Sequence, residues 1–186
     1  RTLAELIAAA RARPGEMAYS AASSSFQIAT ELFAAEAGLR LLHVPYRGSA
    51  PAVQALLTGE VAFTFGDVAT VLPLVQGGQL RALAVSTATR LEALPGVPTV
   101  AESGVPGYDM AVWSALFAPR ATPPAITARV GAEVTRLAAT PTFRTRLATL
   151  GVQAVGNSAE VLTERMTAEI ARFRDLVTRT GLRVQE

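Results

Sequence analysis

The chain has 186 residues, half of them apolar and 17% charged, with a mean hydropathy of +0.31, so it can bury a core and does not read as disordered. It has no cysteine, and His43 is its single histidine, which excludes disulfides, thiolate metal sites, cysteine nucleophiles and any site needing two imidazoles. All 17 basic residues are arginine, which excludes Schiff-base and P-loop lysine chemistry, and the net charge is only +2, so the pI of 9.7 reflects the high pKa of arginine and not a basic surface.

The arginines are scattered and do not interleave with aromatic residues, which argues against nucleic acid as a partner. No apolar run reaches the roughly 18 residues of a membrane helix. No leader precedes Arg1, so the sequence reads as a mature chain or as part of a longer one.

The opening predicts a helix. Thr2 and Glu5 form a capping box, Leu3, Leu6, Ile7 and Ala10 share a face, and Pro14-Gly15 stops it. A strand over Met17–Ser20 runs into a small polar loop, followed by a helix through Ile28, Leu32, Phe33 and Ala37 that ends at Gly38. The strand Arg40–Val44 enters the turn Pro45-Tyr46-Arg47-Gly48. Ser49 is expected to cap the next helix, with Pro51 in its first turn and Gly59 at its end. The strand Val61–Phe65 then leads through Gly66 to Asp67, a cap for the helix Val68–Gln76, which Gly77-Gly78 breaks. Leu83–Val85 reads as a fourth strand. Strand and helix alternate three times, which predicts an α/β fold with a parallel sheet.

Composition shifts after Ser86. Prolines and glycines between Pro95 and Gly107 surround a short capped turn at Thr99–Ser103, and Met110–Ala118 reads as a strand with the only tryptophan, Trp113. Pro123-Pro124 opens a helix with Ile126, Val130, Val134 and Leu137 on one face, and Thr140-Pro141 opens another that Gly151 ends. A strand at Val152–Val155 precedes Ser158, the expected cap of a long helix with the stripe Leu162, Met166, Ile170, Phe173 and Val177.

Ligands of parallel sheets bind beyond the carboxyl ends of the strands. Three loops here leave strand ends and enter helix starts: 20–25, 44–49 and 65–68. Helix starts offer unpaired N–H groups and partial positive charge. Ser23, Ser24, Ser25 and Ser49 add hydroxyls, Arg47 adds a carboxylate partner, and Asp67 is a cap that can also hold an ammonium group. The pattern suits a small anion. An enzyme reading lacks support: no carboxylate pair, no nucleophile near His43, no G-x-S-x-G, no G-x-G-x-x-G and no metal constellation.

Three stretches in fixed order carry a family resemblance: HVPYRGSAPAVQALLTGEV at 43–61, GGQLRALAVS at 77–86 and LPGVPTVAESGVPGY at 94–108. The chain resembles the Bug-type periplasmic solute-binding receptors of the tripartite tricarboxylate transporters over nearly its whole length. The resemblance implies a type II periplasmic-binding-protein fold of two lobes that closes on a small carboxylate: a di- or tricarboxylate, an acidic amino acid or an aromatic acid. It implies delivery to membrane permease subunits, a periplasmic location, no cofactor and no catalysis. The contacts it implies fall on the loop after Tyr19 (Ser23, Ser24, Ser25), on the turn Tyr46, Arg47, Gly48 and Ser49, and on Asp67. The family loop after the tyrosine is usually rich in glycine, and here serines stand in its place.

The resemblance also implies that this chain is the C-terminal three-fifths of a receptor. Residues 1–112 are then the second, ligand-binding lobe, and 113–186 a mostly helical segment returning to the first, whose N-terminal part is absent. Its apolar stripes raise self-association through 113–186 as an expectation, and the alternative function is a non-transport interaction module that no longer binds a solute.

Overall fold

The computed structural model describes residues 1–182. The chain divides into two compact units: Arg1–Val112 joined by the chain from Leu176, and Trp113–Asp175.

The first unit alternates helix and strand: α1 (Leu3–Ala12), β1 (Ala18–Ala21), α2 (Ser24–Ala37), β2 (Leu42–Pro45), α3 (Ser49–Leu57), β3 (Phe63–Thr64) and α4 (Val68–Gln76). The expected capping box is present, with the Thr2 hydroxyl accepting from Glu5 N and the Glu5 carboxylate accepting from Thr2 N. Gly38 ends α2 in the left-handed region, its amide donating to Ala34 and Ala35 carbonyls.

The sheet is parallel with order β2-β1-β3, and the fold is α/β as the alternation predicts. Tyr19 lies opposite His43 on one side and Phe63 on the other. This central position explains the core: Tyr19, Ala21 and Phe63 are buried, with Leu6, Met17, Phe26, Leu41 and Phe65 packed around them. Phe33 from α2 meets Phe63 and Phe65, and Tyr108 packs edge-on to Phe33 at 6.3 Å while donating its hydroxyl to Ala29 O. Residues after Ser86 thus complete the core of the first unit without regular structure. The Thr99 turn forms as expected, Thr99 Oγ1 accepting from Glu102 N and Glu102 Oε2 from Thr99 N.

Three expected strands do not form. Leu83–Val85 contributes a single parallel bridge, Val85 to Thr99, and Met110–Ala118 and Val152–Val155 have no ladder partner among the described residues. Alternating apolar residues make an extended segment acceptable to a sheet, but only a neighbouring edge makes it a strand.

The second unit holds α5 (Pro124–Ala139), α6 (Pro141–Ala148) and most of α7 (Ala159–Thr180). Trp113 Nε1 donates to Glu169 Oε2 at 2.7 Å, Arg165 Nε donates to the other oxygen of Glu169, and the Arg165 guanidinium lies 5.7 Å from the Trp113 ring centre. The α5 stripe has the expected periodicity but faces outward: Ile126, Val130, Val134 and Leu137 are all exposed.

Candidate functional site

The carboxyl ends of the three strands lie side by side, because β1 is central and both partners run parallel to it. The loops that leave them are bound to one another. Tyr46 N donates to Ala21 O at 3.0 Å and Gly48 N to Ala22 O at 3.1 Å, so the turn after β2 is stitched to the loop after β1. Ser49 Oγ donates to Asp67 Oδ2 at 2.5 Å, which fastens the first residue of α3 to the loop after β3. Ser20, at the end of β1, is fully buried and donates its hydroxyl to Ala52 O inside α3, while its carbonyl accepts from Thr64 Oγ1.

The expected contact residues take different roles within this edge. Ser23 occupies the N-cap position of α2, but its hydroxyl makes no capping hydrogen bond; it is exposed, as is Ser25, and Ser24 is half-buried. Arg47 is exposed and makes no ion pair or side-chain hydrogen bond among the described residues. Tyr46 brings its backbone to the edge but turns its hydroxyl to Glu60 Oε1 at 2.6 Å, and that bond, with some desolvation, holds the phenol above its ordinary pKa. Gly48 has φ +97°, a conformation that glycine alone adopts without strain, so the turn before α3 depends on it.

Ser49 is not the cap expected of it. The cap position belongs to Gly48, and Ser49 is the first helical residue, its hydroxyl directed sideways to Asp67. Asp67 does cap α4: Oδ1 accepts from Thr70 N at 2.9 Å and from Thr70 Oγ1 at 2.7 Å. Partial burial disfavours its ionised form, but the hydrogen bonds from Ser49 and Thr70 outweigh that, and its pKa falls below the ordinary aspartate value. Asp67 is therefore a charged carboxylate at neutral pH, holding two helix starts at once.

Two residues that the sequence reading did not single out shape this edge. Thr64 ties β3 to β1 through its hydroxyl. Gly66 precedes the cap, and a Cβ there would come within 2.9 Å of Val71 Cγ1, so the entry into α4 has no room for a side chain. A glycine between strand and cap was the available signal. His43 stacks on Tyr19 at 5.1 Å, with Nε2 buried and without a partner. Burial lowers its pKa, so it serves as a neutral ring of the core and not as a base at the edge. Tyr19 donates to Glu31 Oε1, and burial followed by that bond pushes its pKa far up. No group of three or more potential metal ligands occurs among the described residues, and no helix described is long and apolar enough to cross a membrane.

The family described as "Tripartite tricarboxylate transporter family receptor" matches residues 1–182. The chain belongs to that family. Among curated relatives, it is 33% identical to protein BugT of Bordetella pertussis, over 99% of this chain and 57% of that protein. Among solved structures, the Rhodopseudomonas palustris protein Rpa4515 with adipate superposes with a TM-score of 0.87 at 35% identity, covering 97% of this chain and 61% of that one. MatC (Rpa3494) from the same organism, with bound malate, gives 0.79 at 28% identity, over 95% of this chain and 62% of that one. The chain thus spans somewhat over half the length of most of the curated relatives it matches.

Proposed function

We propose that this chain is the ligand-binding part of a periplasmic receptor that captures a small carboxylate and hands it to the permease subunits of a tripartite tricarboxylate transporter, without catalysis. Residues 1–112 act as one lobe and 113–186 as the segment that returns to the other. Ser23, Ser24, Ser25, Arg47, Gly48 and Ser49 line the approach to the strand ends, with Tyr46 contributing backbone and Asp67 a fixed charge. Binding is by replacement of the carboxylate's water with the guanidinium of Arg47, hydroxyls and backbone amides, and lobe closure on the bound acid is the signal passed on.

The observation that carries this reading is the stitched strand edge. Gly48 N to Ala22 O and Ser49 to Asp67 hold three loops together around an exposed arginine. The resemblance to proteins solved with adipate and with malate supports a carboxylate as the ligand. A thermal-shift panel of mono-, di- and tricarboxylates and acidic amino acids tests it. A ligand at 100 times its Kd raises stability by about 2.7 kcal/mol, a midpoint increase of roughly 5–10 °C for a chain of this size. Arg47→Ala is expected to abolish most of that shift. A protein that melts cooperatively and responds to no acid would refute the proposal.

The exposed α5 stripe favours a second reading, an assembly module without a solute. That reading requires a mass that grows with concentration and no response anywhere in the panel.

A further inference from the structure

Resting on the receptor reading above, we infer that Asp67 is a specificity-determining residue: it is an anion built into the site, and it limits how much negative charge a ligand can bring to these strand ends. The start of α4 is the kind of place where an external anion would settle, since its first N–H groups lack helical partners and the helix dipole is positive there. In this protein that place is filled. The Asp67 carboxylate takes Thr70 N and Thr70 Oγ1 on one oxygen and the Ser49 hydroxyl on the other.

The consequence reaches α3 as well. Ser49 is its first residue, and its hydroxyl is already donated to Asp67. Of the three helix starts at the edge, α4 is therefore occupied by an internal carboxylate and α3 has its hydroxyl committed to the same group. The hydrogen bonds keep Asp67 ionised at neutral pH in spite of partial burial.

The charges that remain are simple. On the adjoining turn, Arg47 is exposed with no ion pair among the described residues, and on the first loop the Ser23 hydroxyl does not cap its own helix. Arg47 is thus the exposed cation of the turn, whereas Asp67 is a carboxylate held in place and Glu60, which accepts from the Tyr46 hydroxyl, is a second one beside the same turn, so each carboxylate that a ligand adds beyond the first meets growing repulsion. A further carboxylate on the same ligand would be repelled by Asp67, and Arg47 is the only cation on loops 20–25, 44–49 and 65–68. Across roughly 8 Å of a partly wet site such repulsion corresponds to about a three- to tenfold loss of affinity.

The test compares a dicarboxylate with its analogue carrying one more carboxylate on the same carbon frame, titrated by calorimetry at pH 7.5. Glutarate and tricarballylate form such a pair, and the dicarboxylate most active in the panel above defines another. The wild type is expected to prefer the dicarboxylate. Asp67→Asn keeps a capping side chain but removes the charge, and is expected to shift the ratio of affinities about three- to tenfold toward the tricarboxylate. Asp67→Ser, another capping residue without charge, gives the same comparison if the asparagine variant folds poorly. Ser49→Ala removes the tether but not the charge and is expected to weaken both acids alike, leaving their ratio unchanged. A ratio in both Asp67 variants equal to that of the wild type overturns the inference alone. So does a wild type that prefers the tricarboxylate. A wild type silent to every acid in the panel overturns the receptor reading and this inference with it.

Discussion

The two units solve the same folding problem with opposite results. In the first, five aromatic rings from β1, β3, the loop after β3, α2 and the irregular stretch near Gly107 converge on one core, and Phe33 is 0% exposed. In the second, among residues 113–175 only Ala138 is buried, while Ile126 remains 54% and Phe117 67% exposed. Both kinds of residue sit in sequence patterns that predict burial. Periodicity reports which face of a helix is apolar, and the neighbours alone decide whether that face is covered.

Mutations can sharpen this contrast, and the largest effect is expected at the centre of the first unit. Phe33→Ala should cost about 3–5 kcal/mol in a urea titration, because it removes a ring surrounded on several sides. Tyr108→Phe is expected to cost about 0.5–1.5 kcal/mol by the same measurement, since it removes a buried hydrogen bond to Ala29 O, which keeps its helical role in α2, and retains the ring. Ile126→Ser, a chemically harsher change on the α5 stripe, should move stability by no more than about 0.5 kcal/mol in this chain. A large effect there would show that the stripe is covered in solution and would erase the contrast.

Acid should also act on the first unit. His43 has its pKa lowered by burial, so the unfolded chain binds its proton first, near the ordinary histidine value. Stability should therefore fall as pH drops through that value toward the lower pKa of the folded protein, and His43→Phe should flatten this part of the profile. Asp67 contributes at lower pH. Its depressed pKa means that its stabilisation is present above the ordinary aspartate value and is lost as pH falls through the folded one, a step that Asp67→Asn should remove. Thermal melts from pH 8 to pH 3 check both.

The sequence is most legible where structure is decided locally. The Thr2–Glu5 box, the Gly38 stop, the Asp67 cap and the Thr99–Glu102 turn each span a few residues, and each forms as the spacing predicts. Leu83–Val85 and Val152–Val155 fail as strands because pairing depends on an edge that the segment itself does not specify. The edge of the candidate site is legible in part for the same reason. Its three loops follow from strand–helix alternation, but Ser49 looks like a cap until Asp67, eighteen residues away, is seen to accept its hydroxyl.

The three tyrosines, Tyr19, Tyr46 and Tyr108, all belong to the first unit, and the one tryptophan, Trp113, is the first residue of the second, hydrogen-bonded to Glu169. Each unit therefore carries its own chromophore. Emission excited at the red edge of indole absorption follows Trp113 and α7, whereas tyrosine difference absorbance follows the aromatic core. A single denaturation experiment read at both signals asks whether the two units lose structure together or in turn, with no label added.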